Sequence, residues 1–145
     1  MLAASACGNG DEEPAGPARI FPPDYATSYQ EVRNCRRSSD HDLLYVRVRV
    51  SDLALDPYQN RDAPFPEGSI IVKEEHIDDQ CTDLERWTAM KREPAGYAPE
   101  AGDWHWQRVK KDGSVELDGK VQNCAGCHVS CQSPPDSHDW TCAVP

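Results

Sequence analysis

The stretch Cys124-Ala-Gly-Cys127-His128 constrains this chain more than any other feature. Two thiols three positions apart with an adjacent imidazole meet the demands of covalent haem attachment, because the thiols reach two vinyl groups while the imidazole falls beneath the iron. A fold that carries such a group must leave room for a rigid planar macrocycle, so its core is built around a pocket. The same spacing also serves a zinc ion or a redox dithiol. Zinc calls for a second ligand pair at similar spacing, and a redox pair stands at the start of a helix that follows a strand; neither context is read here. The reading taken forward is one haem c per chain, bound through Cys124 and Cys127, with His128 as the proximal iron ligand.

Seven cysteines are many for a reducing cytosol. Beyond the motif pair stand Cys7, Cys35, Cys81, Cys131 and Cys142, an odd remainder. Cys7 lies in MLAASACGNGDEEPAGPA, where small residues lead into a cysteine and then a polar tether rich in Gly and Pro. Residues 1–18 are therefore read as a truncated, lipoprotein-like leader with Cys7 as the lipidated residue, followed by a disordered tether. The basic and long apolar regions of a full signal do not precede it. The other four cysteines allow three pairings. The preferred one is Cys131 with Cys142, which closes a short loop behind the motif, and Cys35 with Cys81. No apolar run approaches the ~20 residues needed to cross a bilayer, and an oxidising compartment, periplasm or outer surface, is expected. With 25 acidic and 15 basic residues the net charge is −10, which argues against nucleic acid as a partner.

Residues 19–145 are expected to form one domain. The segment after Pro22-Pro23 places Tyr25, Tyr29 and Val32 at helical spacing and predicts a helix. From Tyr45 the chain alternates, with Val46, Val48 and Val50 on one face and Tyr45, Arg47 and Arg49 on the other, which predicts a half-buried strand. The segments FPEGSIIVKEEHI and WTAMKRE also read as strands. Trp104 and Trp106 alternate with His105 and Gln107, and Asp112-Gly113 signals a hairpin turn. The fold class expected is mainly β with one or two helices, an α+β domain whose antiparallel sheet packs around a single c-type haem.

The second axial position decides what such a haem does. Only 17 residues follow His128 in a chain of 145, none of them methionine, which disfavours the common small helical electron carriers. Met90 lies on a predicted strand, where a core role is the commoner fate. His41, His76 and His138 sit in charged stretches and read as solvated. A five-coordinate iron with an open distal face follows, suited to binding or transforming a small molecule.

The succession FPPDYATSY, PFPEGSIIVKE, GYAPEAGDWHWQRVKKDGSV and CAGCH resembles the cytochrome P-460 family, which includes the cytochromes c′-beta. The resemblance implies a mostly antiparallel β homodimer in the periplasm with a five-coordinate c-type haem. Enzymatic members oxidise hydroxylamine and react with nitric oxide, using a haem joined through a lysine nitrogen to a meso carbon. The c′-beta members lack that bond and bind nitric oxide in an apolar pocket. By its place after the FPxGS turn, Lys73 is the crosslink candidate, with Lys91 as fallback; Asp136 and Asp139 are candidates for the distal acid and base. Tyr29 stands where many members carry a tryptophan-like aromatic, and Cys131 with Pro134-Pro135 reshapes the segment expected to supply the acid. The expected function is hydroxylamine oxidation with electrons passed to a periplasmic acceptor. A nitric oxide binder is the alternative, and an electron-transfer cytochrome c the weaker one.

Overall fold

The computed structural model describes residues 16–145, so Cys7 and most of the leader read from residues 1–18 lie outside the described residues. Six strands form one antiparallel sheet in chain order: β1 (Gln30–Arg37), β2 (Tyr45–Val50), β3 (Ile70–His76), β4 (Leu84–Arg92), β5 (Trp104–Lys110) and β6 (Val115–Gly119). Short helices α1 (Tyr25–Ser28), α2 (Asp52–Asn60) and α3 (Gln122–His128) flank it. The mainly β, antiparallel α+β class expected from alternation is the class observed. Side chains with period two give the sheet two different faces.

Register pairs Val46 with Glu75, Val48 with Lys73 and Val50 with Ile71, and carries the row on through Thr88 and Met90 to Trp106 and Arg108. This front face is apolar at one end, where Val48, Val50, Ile71, Met90, Trp104 and Trp106 pack with Ala54 and Tyr58 of α2 and with Trp140. Its other end is polar. Burying each of these valines stabilises the fold by roughly 1.5–3 kcal/mol, which outweighs the polar residues interleaved on the same strands.

The reverse face closes over Phe21 and Tyr25, which pack on Val72, Ala89 and Val109. Here the structure corrects the helix expected after Pro22-Pro23. Only Tyr25–Ser28 is helical, and Val32 lies in β1. The Tyr25 hydroxyl donates to Glu74 at 3.0 Å and accepts from the Trp87 indole at 2.7 Å, so the turn is anchored before a second one can form. Pairing of β1 with β2 then takes the following residues. Sheet pairing overrides a three-residue helical period.

Helix α2, in a segment where no element was expected from the sequence, carries Pro57 inside it, which removes one helical hydrogen bond. Tertiary contacts compensate. Arg61, in the left-handed conformation at its C-cap, donates to the carbonyls of Pro135 (3.2 Å) and Ala143 (2.5 Å), tying the C-terminal segment to the helix. Disulfides join Cys35 to Cys81 and Cys131 to Cys142, the pairing preferred from sequence.

Candidate functional site

Helix α3 presents Cys124, Cys127 and His128 at positions i, i+3 and i+4, so all three lie on one helical face. That face borders a cavity of about 740 Å³, lined from the sheet by Val46, Ile71, Lys73, Met90, Trp106 and Arg108. Cys124 and Cys127 are the free thiols among the described residues. The helix follows β6 after two residues, which is the strand-then-helix context that a redox dithiol calls for and that the sequence did not disclose. The electrostatics oppose that use, because burial pushes the Cys124 thiol up, whereas a redox cysteine needs a depressed value.

The His128 imidazole is fixed from behind. Its Nδ1–H donates to the Trp140 carbonyl at 2.6 Å, which leaves Nε2 as the lone-pair nitrogen, the tautomer a metal ligand requires. Burial pulls its pKa down to about 4, so the ring is neutral. Trp140 is held by the Cys131–Cys142 loop, its amide donating to the Cys131 carbonyl at 2.7 Å, and by close approach to Gly102. A Cβ on Gly102, whose φ is +65°, would come within 2.6 Å of the Trp140 ring. Only glycine fits there.

Polar atoms in the cavity await a partner. Arg33 Nε, Arg108 Nε and Trp106 Nε1 are buried without a hydrogen-bond partner among the described residues, and all three side chains line the cavity. Buried donors are costly unless paired, so they mark where an acceptor belongs. Two thiols, an imidazole with a free Nε2 and the unpaired Nε groups of Arg33 and of Arg108, whose Nη1 also lies 3.6 Å from Glu116, match the vinyl groups, iron and carboxylates of a haem. The residues present fit the group.

Lys73 enters the same cavity from β3, on the front face that it shares with Ile71. Its Nζ lies 2.9 Å from His41 Nε2, and burial lowers its pKa to about 8 despite the opposing charge of Glu75. Glu75 has no exposed side-chain surface. Burial alone would raise its carboxyl, but His41, Thr88 and Arg86 hold it down at about 2. Lys91, the fallback, lies opposite His105 in the sheet and pairs with Glu93 at 3.0 Å; it does not line the cavity.

The two acid candidates separate. Asp136 is exposed and lines the cavity. Asp139 accepts from Arg92 at 3.1 Å and from the Phe65 amide at 2.9 Å, and is not part of the cavity wall. The histidines read as solvated are not. His76 and His138 are buried, His138 against Phe65 with its Nε2 donating to the Ala63 carbonyl at 2.8 Å, and His41 lines the cavity. A charged tripeptide context says nothing about the turn that folds it inward. Sequence reasoning also missed Glu75 and Arg33. Glu75 was within reach, since it stands two residues from Lys73 and so shares its face.

The family model described as Cytochrome P460 matches residues 22–141. No curated protein matches the chain.

Proposed function

Since the chain belongs to the cytochrome P460 family, a family of c-type haem proteins, we propose that it is a haem oxidoreductase that oxidises hydroxylamine at an iron with an open distal side. The observation that carries this reading is the Lys73 amine, which shares one cavity with Cys124, Cys127 and His128. When bound, the haem supplies the redox-active iron that withdraws electrons from the substrate nitrogen. In this reading Cys124 and Cys127 hold one haem c through thioethers, and His128 is the proximal ligand with its ring oriented by Trp140. Arg33 and Arg108 take the haem carboxylates, and Lys73 is bonded to the macrocycle edge. A lysine attacks carbon only as the neutral amine, and the depressed pKa of Lys73 raises that fraction. Asp136, with access to the cavity, accepts protons released by the substrate, while Asp139 serves its ion pair with Arg92.

A second reading has its own support. Val46, Ile71, Met90 and Trp106 make part of the cavity wall apolar, which suits a nitric oxide binder without the lysine bond. The ferrous absorption spectrum separates the two. A bond from Lys73 to a meso carbon interrupts conjugation and moves the Soret band far to the red; an ordinary c-type spectrum with unmodified Lys73 rejects the enzyme reading. The two disulfides suit an oxidising compartment, periplasmic or outer-surface, where a soluble acceptor takes the electrons and the chain works as a homodimer. Among the described residues no helix is long and apolar enough to cross a membrane.

A further inference from the structure

We propose that His41 and Glu75 complete a three-residue relay with Lys73, in which His41 takes the ammonium proton of Lys73 as its nitrogen bonds to the haem. The inference rests on the reading of Lys73 given above.

Three observations carry it. The first is the chain of contacts: Lys73 Nζ stands 2.9 Å from His41 Nε2, and His41 Nδ1 stands 2.7 Å from Glu75 Oε1. With Nδ1–H donating to the carboxylate, Nε2 carries the lone pair and faces the amine. This is the nucleophile, base and orienting acid of an activated side chain, recognised by geometry instead of by sequence order. The second is the anchoring of the acid. Glu75 also accepts from Thr88 Oγ1 at 2.8 Å and Arg86 Nε at 2.6 Å, so it cannot turn away from the imidazole. Lys73 and Glu75 occupy alternate positions of β3, and Thr88 and Arg86 stand opposite them on β4. The sheet register itself assembles the acid end.

The third observation is how His41 arrives. It comes from the β1–β2 connection, where His41, Asp42 and Leu43 have φ of 45°, 58° and 61°. Three successive left-handed residues, none of them glycine, cost on the order of 1 kcal/mol or more each. An ion pair between Asp42 and Arg86 and the bond to Glu75 hold the turn in place. A solvated surface loop would relax out of this conformation. The strain is spent on aiming the imidazole inward.

The step balances as follows. The Lys73 ammonium passes one proton to His41 Nε2, and Glu75 balances the charge that appears on the ring. The neutral amine then loses one N–H and the meso carbon one C–H as the C–N bond forms. The two electrons and two protons so released reduce one peroxide to two waters.

The test uses the haem-loaded protein, matured in a periplasmic host, treated with one equivalent of hydrogen peroxide and sampled over time. Tryptic mapping measures the share of Lys73 peptide bonded to the haem peptide, and the ferrous Soret band follows the same event. His41→Gln retains polar bulk but cannot take the proton, and His41→Ala is the second variant. Both are expected to keep full thioether haem and the wild-type ferric spin state, which report folding independently. Bond formation in both should slow between about 10²- and 10⁴-fold, the usual worth of a positioned base. Equal rates in wild type and variants overturn the relay while leaving the proposed function standing. A low-spin wild-type iron that His41→Gln converts to high spin makes His41 an axial ligand and also overturns it. A wild-type protein that never forms the bond removes the enzyme reading and the relay together.

Discussion

The two disulfides close loops of different size, and only Cys131–Cys142 lines the cavity. Cys35–Cys81 spans a sequence separation of 46 and Cys131–Cys142 one of 11. Loop-closure entropy, taken as 2.1 + 1.5R ln n cal/mol/K, gives about 4.0 kcal/mol for the first and about 2.8 kcal/mol for the second at 25 °C. Paired Cys→Ser variants measured in guanidinium, with a slope of about 4 kcal/mol/M, should therefore lose about 1.0 M and about 0.7 M in midpoint. The site should respond in the opposite order. Removing Cys131–Cys142 frees the segment that holds the Trp140 carbonyl against His128, so the haem midpoint potential and the iron–histidine vibration should shift in that variant. Removing Cys35–Cys81 should leave both signals unchanged while costing more stability. If the short-loop variant loses more stability than the long-loop one, or if the potential moves only in the long-loop variant, the reasoning fails.

Gly102→Ala should destabilise the protein by about 1–3 kcal/mol and broaden the signals of His128, since the new methyl meets the Trp140 indole at a positive φ; an unchanged crystal position for Trp140 would count against it. The Glu75 carboxyl, held at about 2 against an ordinary value of 4.5, contributes stability that is fully present above about pH 4.5 and is lost as pH falls through about 2. Its share is about 3 kcal/mol, and in Glu75→Gln the acid limb of a stability–pH curve should flatten over that window. Lys73→Leu should give an ordinary c-type spectrum with hydroxylamine oxidation lost, whereas Lys91→Leu, outside the cavity, should change neither. Arg33→Leu and Arg108→Leu should each retain folded protein but lower haem content or raise haem loss on mild denaturation, because each removes a buried donor facing the cavity.

Strands β2 and β5 were legible because Val46, Val48 and Val50, and then Trp104 and Trp106, write a period of two, and β3 was legible from its run Ile70-Ile71-Val72, although it is covered on both faces; β1 was not, because its residues were read as helix. The helices were not. Tyr25, Tyr29 and Val32 fit a helical period by accident over about two turns, and α2, which has Pro57 inside it, takes its stability from the packing of Ala54 and Tyr58. At the site, the grouping of Cys124, Cys127 and His128 on one helical face follows from spacing along one chain segment, and strand alternation brings Lys73 beside Ile71. What could not be read were partners set by folding at long range. Asp139 meets Arg92 47 residues away, and His41 meets Glu75 across 34, through a loop without periodicity.

The strand order carries a kinetic consequence. Because each strand pairs only with its neighbours in the chain, the sheet can zip as successive hairpins, with little loop entropy to overcome at each step. Strands β1 to β6 all precede α3, so an emerging chain can assemble the wall bearing Lys73, Trp106 and Arg108 before the thiols of Cys124 and Cys127 are available. The segment after His128, closed by Cys131–Cys142, then docks last and brings the Trp140 carbonyl to the imidazole. The cavity would thus pass from a preformed half-pocket to a sealed one, and the thioether bonds proposed above would form between the two stages.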